Sequence, residues 1–291
     1  MTITTQRIAL CGTLLALIAC DGVPRHNATI LWERHDLATP ESALYDDERR
    51  VIYVSVMDGG PTDKDSKGGV AILSDTGEMT GMLVDSLHAP KGIGRYQDTL
   101  YVADVDRIVI INRYDGTHRF IAVRHAQFLN DVTVDDTGIV YISDMVTGLI
   151  HMLPHDGTAQ DLTHMTHKDV PHPNGLLWSK DGLWIAGWGQ GMQEDFSTDG
   201  LGRLSLYDKD TETLTAMTEP LGNLDGIVKD VHGRLLITDW GGGGVFVYDD
   251  GDVYLAYDTE KGSADIGYRE DDDTLFLPMM LENRVMALTI P

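Results

Sequence analysis

Six polar residues recur at near-even intervals along this chain: Glu41, Lys91, Asn130, Asn174, Asp225 and Asp265, separated by 50, 39, 44, 51 and 40 positions. Most are poor strand formers, yet each opens a short segment with apolar residues, so their placement needs a reason. Glu41 and Asp225 offer carboxylates, and Asn130 and Asn174 offer amide oxygens. Such an all-oxygen set suits calcium, a hard cation that takes about six to eight oxygens at about 2.3–2.6 Å. Two negative charges balance one divalent cation. Without it, two carboxylates sharing a low-dielectric site repel each other. Zinc fits less well because no histidine joins the six. Magnesium fits less well because it prefers near-ideal octahedral geometry and keeps its waters, although another divalent cation stays open. The plainer alternative is that the six only solvate a wet tunnel.

The elements that must position these residues form a repeat. Strand-like cores recur at Ile52–Ser55, Leu100–Ala103, Val140–Ser143, Leu183–Ala186, Leu235–Thr238 and Leu275–Pro278. Their second residues are spaced 48, 40, 43, 52 and 40 apart, the length of a four-stranded propeller blade. About ten residues upstream of each lies a segment that starts on one of the six polar residues. Downstream comes a third strand, often closed by an Asp-Gly turn such as Asp115-Gly116, Asp156-Gly157 or Asp250-Gly251. The sixth copy stops after its third strand. A spare strand, Thr29–Glu33, precedes the first copy, and pairing the two closes a ring without exposed edges. The sequence therefore predicts an all-β, six-bladed β-propeller with an N-terminal strand closing the last blade. The first strand of each blade lines the central channel, with the six polar residues at one height. Two long loops, Asp58–Lys67 and Gly187–Gly200, join second to third strands and are expected to rise over one face. They carry Trp188, Met192 and Phe196, beside Trp240 and the run Gly241–Gly244.

Charge and cysteine content narrow the function. The 291 residues carry a formal net charge of −24, with 46 acidic against 22 basic side chains. Nucleic acid needs a basic footprint and is excluded as a partner, and docking on anionic lipid is disfavoured. Only Cys11 and Cys20 are present, so no thiolate metal site is expected in the repeat region. Arg7 precedes an apolar run from Ile8 to Ala19, too short to span a bilayer core of about 30 Å. Leu17-Ile18-Ala19-Cys20 is similar to a bacterial lipobox. The expectation is a signal segment over residues 1–22, a single propeller domain over residues 23–291, and export to the bacterial periplasm with a lipid anchor at Cys20. The membrane is then a partner only through that anchor.

The stretches Pro40-Glu41-Ser42, Leu129-Asn130-Asp131, Pro173-Asn174-Gly175-Leu176 and Leu224-Asp225-Gly226, in this order at blade spacing, resemble the regucalcin–gluconolactonase (senescence marker protein-like) family. Its wider kin include diisopropyl-fluorophosphatase and paraoxonase. The resemblance runs over essentially residues 28–291. It implies metal ligation by Glu41, Asn174 and Asp225, with Asn130 acting directly or through water or substrate. It also implies calcium-dependent hydrolysis of a lactone or ester, with Asp225 as the catalytic group that steers a water. Two positions depart from the family. Phe128 stands where sugar-acid lactonases often carry an arginine, and it supplies no fork of donors. Gly226 stands where paraoxonases have an asparagine. Lys91, Phe128, Asn130, His172 and Asp265 are the candidate substrate-binding residues, for a small molecule with a hydrophobic part. Lys91 and Asp265 alternatively pair with each other. The competing function is a non-catalytic, calcium-stabilised propeller that binds a ligand or a protein at the cell envelope.

Overall fold

The structure, a computed structural model, describes residues 28–166 and 170–291. The expected signal segment, with both cysteines, lies outside the described residues. Strand β1 (Thr29–His35) comes first. The first blade is β2 (Pro40–Asp46), β3 (Val51–Val56), β4 (Gly68–Ser74) and β5 (Met79–Leu87). The second is β6 (Pro90–Tyr96), β7 (Thr99–Asp104), β8 (Arg107–Asn112) and β9 (His118–Ala122). The third is β10 (Leu129–Val134), β11 (Ile139–Asp144), β12 (Leu149–Pro154) and β13 (Thr163–Thr166). In the fourth, β14 (Pro173–Ser179) and β15 (Gly182–Gly187) are followed by a short ribbon, β16 (Gly189–Gln190) with β17 (Gly200–Leu201). That blade then continues with β18 (Leu204–Asp208) and β19 (Thr213–Ala216). The fifth is β20 (Leu224–Lys229), β21 (Leu235–Asp239), β22 (Val245–Asp249) and β23 (Asp252–Tyr257). The sixth is β24 (Gly267–Arg269), β25 (Thr274–Met279) and β26 (Arg284–Thr289).

Each blade is a four-stranded antiparallel meander, and β1 pairs antiparallel with β26 to complete the sixth. This is the six-bladed propeller and the closure that the repeat predicts. Among the described residues no helix is long and apolar enough to cross a membrane.

Alternation along each second strand explains why these strands read as continuously apolar. In β3, Ile52 and Val54 pack with Phe276, Val285 and Ala287 of the sixth blade. Tyr53 between them packs with Leu100, Val102 and Val109 of the second blade. A strand with a period of two that is covered on both faces must be apolar at every position. The same division recurs in β7, where Leu100 and Val102 face back and Tyr101 and Ala103 face forward onto Leu129 and Val140. The core is thus six interblade layers around a ring.

One boundary differs from expectation. The innermost strand of blade six was expected from Asp265 but starts at Gly267. Asp265 makes a parallel bridge to Ser42 of blade one, with Asp265 N donating to Glu41 O at 2.9 Å and Ala43 N to Asp265 O at 3.2 Å. Its backbone bonds are used to close the ring, so it cannot join a ladder inside its own blade.

Candidate functional site

Five innermost strands carry the same irregularity. In β2 the register runs from Pro40↔Val56 to Ala43↔Val54, so Glu41 and Ser42 together oppose Ser55. Equivalent shifts place Lys91, Asn130, Asn174 and Asp225 in bulges of β6, β10, β14 and β20. A bulge frees one residue from the pairing pattern and re-aims its side chain. Here it turns the polar residue toward the axis and leaves a backbone N–H to satisfy. A hydroxyl on the facing strand accepts it in three blades. Ser55 Oγ takes Ser42 N at 2.9 Å, Ser143 Oγ takes Asp131 N at 2.9 Å, and Thr238 Oγ1 takes Gly226 N at 2.7 Å. Ser143 and Thr238 also donate to the next blade, to Asn174 O at 2.7 Å and Ala264 O at 2.9 Å.

The residue after the bulged one must let the neighbouring blade approach. A Cβ on Gly175 would lie 1.7 Å from Asp225 O, and one on Gly92 would lie 2.5 Å from Asp131 Cα. These glycines are required by close backbone contact. In blades two, three and five the segment before the innermost strand is held by an aspartate that ends the second strand. Asp144 accepts from Gln127 N and Phe128 N at 2.9 and 3.0 Å, and Asp239 accepts from Asn223 N at 3.0 Å. Asp104 does the same for His88 and Ala89.

A cavity of about 680 Å³ opens at one end of the axis, and Glu41, Lys91, Phe128, Asn130 and Asp225 line it. Asn174 is fully buried and does not line the cavity, lying behind Asn130. It accepts a hydrogen bond from Asn130 Nδ2, and its own Nδ2 donates to Leu224 O at 3.0 Å. Burial, then repulsion from Asp225, pushes the Glu41 carboxyl well above the usual carboxylate range, against the opposing charge of Lys91. Burial and then the charge of Asp131 raise Asp225, and a hydrogen bond with Asn174 opposes them. Glu41 Oε2 is buried and has no hydrogen-bond partner. Among the described residues no group of three His, Cys, Asp or Glu side chains is arranged to hold a metal ion. The set here instead combines two carboxylates with two amides, which fits a hard cation: it supplies a partner for the orphaned oxygen and offsets the buried like charges.

The remaining sequence-predicted residues separate. Burial lowers the Lys91 ammonium to about 8 while Glu41 opposes the shift. Lys91 Nζ donates to Pro61 O at 2.8 Å and Ala89 O at 2.9 Å and lies 4.5 Å from the Phe128 ring centre. Asp265 is outside the cavity wall and accepts from Ser42 Oγ. His172 is also outside it, with Nδ1 2.8 Å from Met145 O.

Both long loops reach the cavity, through Pro61 and through Asp195–Thr198. The wall also contains Met57, Met145 and Met280, which the sequence reading did not single out. Each directly follows a second strand, as do Val105, Trp188 and Trp240. Positions 57, 105, 145, 188, 240 and 280 are spaced 48, 40, 43, 52 and 40 apart, the blade spacing itself, so the signal was present.

Several solved structures share the fold. A gluconolactonase from Xanthomonas campestris superposes with a TM-score of 0.67 at 20% identity, covering 88% of each chain. A catalytically inactive virginiamycin B lyase from Staphylococcus aureus with quinupristin gives 0.61 at 14% identity, covering 91% of this chain and all (100%) of that one. A nidogen/laminin complex gives 0.62 at 13% identity, covering 79% of this chain and 92% of that one. Comparison with curated proteins returns no match. At these identities the likeness is one of fold alone, and it extends to a lyase and a protein complex. The family comparison is more specific. The model of the SMP-30/gluconolactonase/LRE-like region matches residues 39–259, which contain the ring from Glu41 to Asp225, its bulges and both cavity loops, and this chain belongs to that family.

Proposed function

We propose that this protein is a calcium-dependent hydrolase of a small lactone or ester, held at the cell envelope. One observation carries the reading: two buried carboxylates, Glu41 and Asp225, and the Asn130 amide line an open, loop-walled cavity, with Asn174 hydrogen-bonded behind them and Glu41 Oε2 unpartnered. Family membership supports a lactonase-like activity.

Glu41, Asn130, Asn174 and Asp225 are the residues that would hold calcium, with another divalent cation as the alternative. When bound, the ion supplies Lewis acidity at the substrate carbonyl oxygen. Asp225 positions a water and takes its proton as the water oxygen bonds to the carbonyl carbon. The acyl C–O bond breaks, and the proton passes to the departing oxygen, leaving a hydroxy acid from a lactone. Asn174 orients Asp225 through their hydrogen bond. Lys91 limits the negative charge around Glu41 and anchors the loop at Pro61.

Metal analysis of the purified protein, beside a screen of lactones, aryl esters and phosphotriesters with and without chelator, tests this. The expected result is about one calcium per chain and turnover abolished by chelation, and lost in Glu41→Gln and Asp225→Asn. Stoichiometric zinc, or no metal, overturns the calcium assignment. Calcium binding without turnover favours the non-catalytic binding module.

The sequence Leu17-Ile18-Ala19-Cys20 after an apolar run supports export and a lipid anchor at Cys20. Expressed in a bacterium, the full chain should sediment with membranes, and Cys20→Ser should release it. A soluble full chain would count against the anchor.

A further inference from the structure

Most of the cavity's polar side chains outside the ligand set are already hydrogen-bonded within the protein, Lys261 being the exception. Ser197 Oγ donates to Asp195 Oδ1 at 2.6 Å. Asn223 Nδ2 donates to Trp188 O at 2.7 Å and to Thr198 Oγ1 at 3.0 Å. Trp188 Nε1 donates to Phe196 O at 2.9 Å. The Lys91 ammonium is held by two carbonyls and a ring face. These bonds fold the Gly187–Gly200 loop onto the cavity and leave few donors facing inward. A site that recognises a polyol must present donors and acceptors to each hydroxyl, or bury them unpaired at a cost in affinity.

What does face inward is aromatic. Phe128 and Phe196 lie 5.1 Å apart between ring centres, and Trp188 and Trp240 lie 5.6 Å apart. Phe128, Met145 and Trp188 form one buried cluster, with Phe196 and Trp240 packed against it. Lys91 caps one side of this wall through the Phe128 face, and Lys261 Nζ sits 5.9 Å from the Trp240 ring centre. Flat apolar groups pack on such faces, in offset or edge-on arrangements. The cavity volume of about 680 Å³ lies within the range of ordinary small-molecule sites and leaves room for a ring beyond the reacting ester.

We infer that the substrate is an aromatic lactone or ester, its ring seated against Phe128, Phe196, Trp188 and Trp240, and not a polyhydroxylated sugar lactone. This rests on the hydrolase reading for turnover but not for binding. The ring contacts do not involve the proposed metal ligands, so they are measurable without chemistry.

Two measurements on the calcium-loaded full chain separate the claims. Turnover of dihydrocoumarin, an aromatic lactone, is compared with that of glucono-δ-lactone. Binding of dihydroquinolinone, the lactam counterpart of dihydrocoumarin, is followed by titration calorimetry. The expected kcat/KM favours dihydrocoumarin by at least ~10-fold, the worth of burying one apolar ring. The lactam is expected to bind saturably. Phe196→Ala and Trp240→Ala, each checked for an intact melting transition, should each weaken lactam binding ~10-fold. Lactam binding with no turnover of any lactone leaves the aromatic seat standing and removes the hydrolase reading. Equal or better kcat/KM on glucono-δ-lactone overturns the aromatic seat while the hydrolase reading survives. Absence of saturable lactam binding overturns the seat whatever the turnover.

Discussion

At the scale of single residues, the informative fact is that Glu41 and Asp225 are unfavourable where they stand. Both are buried at the cavity floor, each pushed toward its neutral form by burial, and Glu41 next by repulsion from Asp225. A bound divalent cation reverses that cost. Loading at about 100 times the dissociation constant should add about 2.7 kcal/mol, or ~5–10 °C in melting temperature for a chain of this size. A thermal-shift titration with calcium and chelator measures it. The isosteric change Asp225→Asn removes the repulsion and a cation ligand together. The metal-free variant should therefore melt at or above the metal-free parent, and calcium should no longer raise it. A large cation-induced shift that survives in Asp225→Asn would place the cation elsewhere.

Elements set where those residues point, and the device is a bulge closed by a hydroxyl. Thr238 Oγ1 satisfies the bulge N–H of Gly226 and reaches Ala264 O, so it ties blade five internally and to blade six. Thr238→Val keeps the shape and orphans both backbone groups. The expected loss is about 2–3 kcal/mol, seen as a melting temperature lower by ~5–10 °C, with weaker calcium binding because Asp225 precedes the freed N–H. Gly175 is the second test. Its position is next to Asn174, and Gly175→Ala would drive a methyl group into Asp225 O. Overpacking against backbone costs about 1–3 kcal/mol or more. Because the atom struck belongs to the ligand residue's own peptide, calcium affinity should fall with stability, and calorimetry on the folded fraction reads both.

Across the whole molecule, ring closure and interblade ties decide stability. Asp46 of blade one accepts from Arg113 of blade two at 2.8 and 2.6 Å, and from Arg95 at 2.9 Å. Burial alone would raise the Asp46 carboxyl, but hydrogen bonds from Arg113 and Arg49 hold it below its ordinary value of 3.8. A carboxyl depressed in the folded state stabilises fully above its unfolded value and loses that contribution as pH falls through the lower folded value. Melting temperature should therefore drop as pH is lowered past the ordinary aspartate value of 3.8. Arg113→Met, which leaves Asp46 short of its main partner, should cost about 3–5 kcal/mol at neutral pH and flatten this acid slope. Closure is tested by removing β1. Trp32 packs on Phe276 at 5.9 Å between ring centres, and β1 covers the edge of β26. Deletion through His35 exposes that edge, so the truncated chain should melt earlier and associate through it in light scattering.

The sequence by itself determined the six-fold repeat, its closure by Thr29–Glu33, and the equivalent blade positions of Glu41, Lys91, Asn130, Asn174 and Asp225. Periodicity carries such information because every blade solves the same packing problem with the same alternation. The wall at Met57, Met145 and Met280 was legible in the same spacing. Only the tertiary structure decided which polar residues share the cavity. Asp265 spends its backbone on the blade one junction, and His172 turns to the Met145 carbonyl. Lys91 is bound by carbonyls from its own segment and from a loop 30 residues away. Those choices depend on hydrogen-bond partners brought together from separate blades, and spacing along the chain does not encode them.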